Sequence, residues 1–375
     1  MAEVKVTEVE SPGQLNEFIR FPYRLFAGDK NFVPPLIAER KEFFDKEQNP
    51  FYRTARTQMF LAHRGRELLG RVATCISYRH NEYHDEQTGF FGFFDTVDDE
   101  EVSRSLLKVA MIELKKAGMD RMRGPMNFTT NHEAGFLIDG FDSPPVVMMT
   151  YNHPYQVKLA EKFGLKKVMD LLAYKLPTTH VTSSRVSRVV ARQIERLNVR
   201  IRALDMRNFL QDVRTIKDLY NSAWARNWGF VPMDEAEFDH LAKNLKQIVD
   251  PEIVLIAEVE GRPAGFALAL PDINQALIRL NGRLFPTGLL KLLWHTKIRN
   301  KVDQCRLLTF GVVPEYRNRA IDMMLYMESH KRCLEKGYKW GELSWILENN
   351  DAMRRGLEQM QAKVYKRYRV LEMPL

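Results

Sequence analysis

Three landmarks in the first half of the chain recur in the second half at a nearly constant spacing, and a duplication restricts a fold more than any single motif. Phe32-Val33-Pro34 returns as Phe230-Val231-Pro232, an offset of 198. Phe60-Leu61-Ala62, opening an apolar run that reaches Gly70, returns as Leu255-Ile256-Ala257 before Gly265, an offset of 195. Asn152, opening a helical pattern that ends near Phe163-Gly164, returns as Asn349, an offset of 197. Two copies of one unit also suit 375 residues, because a single core stops growing below that length. The periodicity breaks between Leu176 and Arg188, at turn and linker residues Pro-Thr-Thr-His-Val-Thr-Ser-Ser. The expected domains are therefore 1–181 and 182–375.

Within the second copy, Ile253 to Glu260, the dipeptide Glu260-Gly261 and Ala264 to Leu270 read as strand, tight turn and strand. Leu307 to Val313 is an apolar run of strand length. Ala320 to Lys336 has helical spacing, with Met324, Tyr326, Met327, Cys333 and Leu334 on its apolar positions and Gly337 closing it. Trp340 to Leu347 reads as a strand and Asn350 to Met360 as a last helix. Strand, helix, strand, helix in this order predicts a parallel pair with right-handed crossovers in an α/β (α+β) fold.

The first strand of that pair runs through Val312-x-Pro314-x-Tyr316-Arg317 into its helix, and backbone N–H groups at such a helix N-terminus suit a pyrophosphate. The stretch resembles the central motif of the GNAT superfamily of acyl-CoA N-acyltransferases. Trp345 to Met360, with Asn349 and Ala352 at a strand-to-helix transition, is similar to the superfamily's next motif. The resemblance implies two tandem GNAT-like units, each a mixed, mostly antiparallel sheet with a splayed parallel pair flanked by helices. It places the pantetheine arm between Leu307–Val313 and Trp340–Leu347, with acyl-CoA a co-substrate and no cofactor bound permanently. The implied donor site comprises Val312, Val313, Arg317, Asn318, Arg319, Ala320, Ile321 and Asn349.

The sequence departs from the superfamily pattern. Its two glycines are Ala320 and Asp322, so close backbone approach is hindered at the first and a carboxylate faces the phosphates at the second. The tyrosine often used as general acid falls near Leu357, which has no proton to give. The first copy departs further: Phe93 to Glu101 holds five acids where phosphates would sit, and an anion would be repelled. That copy reads as degenerate, with Asp98 capping the next helix.

Taken whole, and including its Asn-Phe-Val-Pro-Pro and Asn-Trp-Gly-Phe-Val-Pro stretches, the chain resembles a bacterial family of tandem GNAT-like proteins. Relatives in that family are connected with N-acylation of sphingoid bases. The resemblance implies transfer of an acyl group from acyl-CoA, or from an acyl carrier protein, to a primary amine of lipid-like kind. The altered loop leaves open a non-catalytic module that holds CoA, a lipid or another protein.

A base is needed to take a proton from an ammonium acceptor, and Glu342, Ser344 and Glu348 alternate along one strand, which puts Glu342 and Glu348 on one face as candidates. Trp224 and Trp228, beside Asn227 and Phe230, are candidates for the acceptor pocket. So is the polar loop Gly124 to Gly135, through Asn127, Asn131 and His132. The stretch Leu284 to Lys297 is apolar with basic flanks and would touch a membrane surface or close over an acyl chain.

Charge and composition narrow the partners. Lys and Arg number 56 against 48 Asp and Glu, and Arg279 to Arg306 holds seven of these cations against one acid, Asp303. Such a surface attracts phosphates, anionic lipid or an acidic carrier protein. Lys363 to Arg369 alternates as a terminal strand should, and no nucleic-acid module accompanies it, so no nucleic-acid partner is expected. Three scattered cysteines argue against disulfides and zinc, and His63, His80 and His84 lack metal-ligand company. The acidic, non-apolar start MAEVKVTEVESPGQL is no secretory signal, and no 18-residue apolar run occurs. The expectation is a cytoplasmic protein with peripheral contact at the inner membrane surface.

Overall fold

The computed structural model describes residues 2–179, 184–283 and 302–375, so the boundary expected at 182 and the stretch Leu284 to Lys297 lie outside the described residues. The chain forms β1 (Val4–Glu8), α1 (Pro12–Leu25), α2 (Ile37–Phe43), β2 (Ala55–Arg64), β3 (Glu67–Ser77), α3 (Tyr78–His84), β4 (Thr88–Thr96), α4 (Glu100–Lys116), β5 (Arg121–Gly124), β6 (Phe136–Asp139), α5 (Pro154–Phe163) and β7 (Lys166–Pro177). The second half adds α6 (Ser184–Leu197), β8 (Val199–Ala203), α7 (Phe209–Trp224), α8 (Glu235–Leu245), β9 (Val254–Val259), β10 (Arg262–Pro271), α9 (Asn274–Leu277), β11 (Gln304–Val312), α10 (Ile321–Glu335), β12 (Trp340–Leu347), α11 (Asp351–Gln359) and β13 (Lys363–Pro374).

Two compact units result. One contains Met1–Leu171, the described residues 276–283 and Lys366–Leu375; the other contains Leu172–Gln275 and 302–365. In the first unit the strand order is β1-β2-β3-β4-β5-β13, with β6 also on β13. The last strand of the chain therefore completes the first unit's sheet: Leu371 pairs with Gly124 and Arg369 with Phe136. Its core lies under α4 and α5, where Leu106, Leu107, Ala110, Val157 and Ala160 pack on Phe60, Val72 and Phe91, all buried. Asp99, one residue after the expected Asp98, caps α4, its carboxylate accepting the N–H groups of Glu101 and Val102. Asn152 does not start a helix either. Its amide bridges Leu137, accepting that residue's N–H at 2.6 Å and donating to its carbonyl at 3.1 Å.

In the second unit the order is β7-β12-β11-β10-β9-β8. The β9–β10 hairpin turns at Glu260 and Gly261, both with positive φ (49° and 78°), which is the geometry a two-residue hairpin loop demands. β9 is buried on both faces and so is apolar from Val254 to Ala257, and its one acid, Glu258, pairs with Arg202 at 2.7 Å. Val254 and Ile256 meet Val213, Ile216, Tyr220 and Phe238 of α7 and α8, whereas Leu255 and Ala257 meet Met324 and Leu325 of α10. Each such fully buried aliphatic side chain contributes about 1.5–3 kcal/mol.

Candidate functional site

β11 and β12 pair in parallel over four rungs only, from Gln304 opposite Trp340 to Leu307 opposite Leu343. On its other side β11 continues beside β10 to Val312, but with Leu268 facing Thr309 and Ala269 facing Leu307, so Leu308 is one residue too many. Such a bulge bends and twists its strand. It lies immediately after the last rung with β12, and it produces the splayed parallel pair that the sequence implies.

Backbone accounting shows what the opening offers. The Val313 N–H donates to the Ala264 carbonyl at 3.0 Å, so Val313 is spent on the β10 side. Residues of an antiparallel strand face their partner alternately, and Phe310 and Val312 consequently turn their backbone groups toward the notch. Side chains meet both carbonyls. Trp224 donates its indole N–H to Phe310 at 2.9 Å, and Arg317 donates Nε to Val312 at 3.3 Å. What these two residues still present to the opening is N–H.

The loop beyond β11 turns through Pro314–Tyr316 and then takes left-handed conformations at Asn318 (φ 60°) and Ala320 (φ 63°). Ala320 thus adopts the shape for which the superfamily uses glycine, at about 1–2 kcal/mol for a residue with a Cβ. It precedes α10 without a side-chain cap, and the first helical bond runs from Met324 N–H to the Ala320 carbonyl. Ile321 is buried at the start of the helix, and the N–H groups of the first turn have no intrahelical partner. Exposed Arg319 lies with its guanidinium 5.4 Å from the Tyr316 ring. Arg317 is engaged otherwise than expected, donating Nη2 to the Ala223 carbonyl at 2.7 Å as well as Nε to Val312. Asn349 is exposed in the turn after β12, where its neighbour Asn350 caps α11.

At the closed end of the notch sits a polar row. Glu342, fully buried, accepts the Ser344 hydroxyl at 2.5 Å and also accepts the Tyr365 hydroxyl; Arg306, 1% exposed, donates Nε to the Ser344 oxygen at 3.0 Å. Glu342 and Ser344 share a face as expected. Glu348 does not join them, because β12 ends at Leu347 and Glu348 lies in the following turn, its carbonyl accepting Arg354 Nη1 at 2.8 Å. Sequence reasoning missed Arg306 and Tyr365. A single arginine inside an apolar strand and a tyrosine in an alternating terminal strand were the available signals. It also read Tyr326 as mere helix core. That ring stacks on Phe310 at 4.3 Å, its hydroxyl donates to Met353 Sδ at 2.7 Å, and burial pushes its phenol well above the ordinary range.

The polar loop of the first unit is bonded within that unit. Asn127 accepts the Phe93 N–H at 2.6 Å and donates to Glu133 at 2.6 Å; Glu133 in turn pairs with Arg40 at 2.6 Å. Burial pushes the Glu133 carboxyl up, but the Arg40 charge and the Asn127 bond outweigh it and hold it below the usual carboxylate range. His132 lies 3.1 Å from the Thr129 hydroxyl, edge-on to Phe43 and Phe51, and the Asn131 N–H donates to the same hydroxyl. Asn127, Asn131 and His132 thus belong to the first unit. Trp224, Val312 and Arg317 come together in the second, with Trp228 half-buried in the turn after α7. Among the described residues no three His, Cys, Asp or Glu side chains cluster as a metal site, and no helix is long and apolar enough to cross a membrane.

No family model matches the chain. A bacterial ceramide synthase from Caulobacter vibrioides is 36% identical over a 379-residue alignment that covers 100% of this chain and 98% of that protein. The chain belongs to that family. The protein YghO of Escherichia coli is likewise 36% identical, over 96% of this chain and 92% of its own length. Among solved structures, a tandem GNAT protein from the clavulanic acid biosynthesis pathway superposes with a TM-score of 0.57 at 10% identity, covering 99% of this chain and 98% of its own. A GCN5-related N-acetyltransferase from Sphaerobacter thermophilus gives 0.53 at 13% identity, over 99% and 95%. These likenesses show the tandem GNAT fold along the whole chain, and the family makes it an N-acyltransferase.

Proposed function

We propose that the second unit holds the acyl donor, acyl-CoA, in the notch between β11 and β12 and passes its acyl group to the primary amine of a long-chain, lipid-like base. The observation that carries this reading is the open parallel pair itself, bulged at Leu308 and followed by an uncapped helix N-terminus at Ala320. The arm would lie along the unpaired edge of β11, its phosphates near Asn318–Ile321 and Arg319, with Asn349 across the opening. In the reaction the amine nitrogen forms a bond to the thioester carbon, the carbonyl electrons move onto oxygen, and the C–S bond then breaks. Backbone N–H groups of Phe310 and Val312 suit that developing oxyanion. The acceptor ammonium loses one proton before attack and another on collapse. Glu342, oriented by Ser344 and Tyr365, is the proposed base, and Glu348 is the second candidate.

The relative named as a ceramide synthase supports a sphingoid base as acceptor. The apolar, basic stretch Leu284 to Lys297 supports peripheral contact with the inner membrane surface of a bacterial cytoplasm. A carrier protein presents the same phosphopantetheine arm, and the net charge of +8 suits its acidic surface. Nucleic acid has no part in this reading.

Incubating the protein with palmitoyl-CoA and a long-chain amino-alcohol base should yield the N-acyl product and free CoA, and titration with acetyl-CoA, palmitoyl-CoA and CoA should raise the melting temperature. Absence of an amide product with every amine lipid supplied would overturn the proposal.

A further inference from the structure

The engagement of Arg317 links two parts of the second unit that sequence reasoning kept apart, the phosphate loop and the aromatic end of α7. Its guanidinium spans two backbone carbonyls, Val312 at the end of β11 and Ala223 in the last turn of α7. The Ala223 carbonyl is one of the four that a helix C-terminus leaves without an intrahelical partner, and a cation there is favoured by the helix dipole. The next residue, Trp224, closes the notch from the same side by donating to Phe310. Contact at this point is tight: a Cβ on Gly311 would lie 2.6 Å from the Ala223 Cβ. The arginine is exposed, and its Nη1 makes no hydrogen bond among the described residues, so it can turn outward without leaving a hole.

Building on the donor reading above, we infer that Arg317 is a positioning residue through which the donor's phosphates release the C-terminal end of α7, uncovering the Phe310 carbonyl and the aromatic Trp224–Trp228 turn only after the donor has arrived. Phosphate outcompetes a backbone carbonyl for a guanidinium, because it adds a full opposite charge and accepts the planar fork bidentately, whereas a carbonyl offers only a dipole. When Arg317 turns to the phosphates at the start of α10, Ala223 loses its cap. Trp224 then keeps its packing on the Tyr220 ring and one hydrogen bond, to Phe310, for which an amide N–H of the pantetheine arm competes. A fragment of the donor that lacks the pyrophosphate consequently does not release the helix end.

The test is hydrogen exchange of the full chain, read by mass spectrometry on peptides covering residues 220–231, with CoA, with pantetheine and with neither. CoA at a concentration that saturates its thermal shift should speed exchange there about three- to tenfold, the worth of one hydrogen bond, and pantetheine should not. The variant Arg317→Lys keeps a charge for phosphate but cannot span both carbonyls, so it should exchange quickly at 220–231 without CoA and gain nothing from it. A strut with no link to the phosphates would show no dependence on CoA. Exchange that is unchanged or slower with CoA, while the thermal shift shows CoA bound, overturns the inference and leaves the donor reading standing. No thermal shift with CoA overturns both.

Discussion

In the first unit the parallel pair β4–β5 runs out at Phe90 and Arg123, and the backbone beyond it is closed at once. Met126 N–H donates to the Phe91 carbonyl at 2.7 Å, Asn127 takes the Phe93 N–H, and Gly92 and Gly124 let the two chains touch where any Cβ would collide with a carbonyl oxygen. In the second unit the pair β11–β12 runs out at Leu307 and Leu343, and among the described residues the two strands make no further ladder pairs. Both units bulge the first strand of the pair, at Phe93 and at Leu308. The neighbours of the two bulges differ. One bulge meets a loop that pairs with it, and the other meets two side chains that cover carbonyls and leave N–H groups. The duplicated scaffold has become a closed notch and an open one, and the donor site proposed above is the open one.

The sharpest way to break that contrast is to remove one acid from each unit. Glu342→Gln should keep one hydroxyl donating to its amide oxygen, reverse the other bond so that its N–H donates, and still bind CoA, yet lose about 10²–10⁴-fold in turnover, the usual worth of a general base. Glu133→Gln in the first unit should leave turnover per folded molecule unchanged. Next in size, Gly92→Ala drives a Cβ into Met126 and should destabilise the first unit by about 3 kcal/mol or more, read as a fall in the urea midpoint. A smaller gain is expected at Ala320→Gly, which removes the Cβ that hinders close approach of the phosphates to the backbone at this left-handed position. It should tighten CoA about three- to fivefold by calorimetry.

A separate expectation is a pH dependence confined to the first unit. Burial, then the charges of His84 and Arg123, lowers the His80 pKa from 6.5 to about 4. The unfolded chain therefore binds the proton more readily. The folded state loses stability as pH falls below about 6.5, and the loss levels off near 4. Unfolding of His80→Gln, followed by urea at pH 7 and pH 5, should show a smaller difference between the two values than the parent protein does.

The pattern of what could be read from sequence tracks the range of the interaction. The Glu260-Gly261 hairpin, the helix closed by Gly337 and the strand Trp340–Leu347 are set by neighbours in the chain, and they appear where the residues place them. The donor loop was legible as a motif even with Ala320 in place of glycine, because the positive φ depends on the turn and alanine tolerates it at a cost. Glu348 was misplaced by one residue at a strand end, where local propensity is weakest. Asp98 yielded to Asp99 as the cap for the same reason. Nothing local could show that Tyr365 reaches Glu342, that Arg306 lies beneath Ser344, or that β13 completes the first unit's sheet. Those are contacts between segments far apart in the chain, made by packing.

The most direct test of an open notch beside a closed one is the stoichiometry of donor binding. Isothermal titration of the full chain with CoA should give one site per chain, and the double substitution Ala320→Val with Arg319→Glu in the second unit should abolish it while Asn127→Ala in the first leaves it at one. Two sites per chain, or a single site that survives the second-unit change and disappears with Asn127→Ala, would contradict the assignment of the donor to β11 and β12.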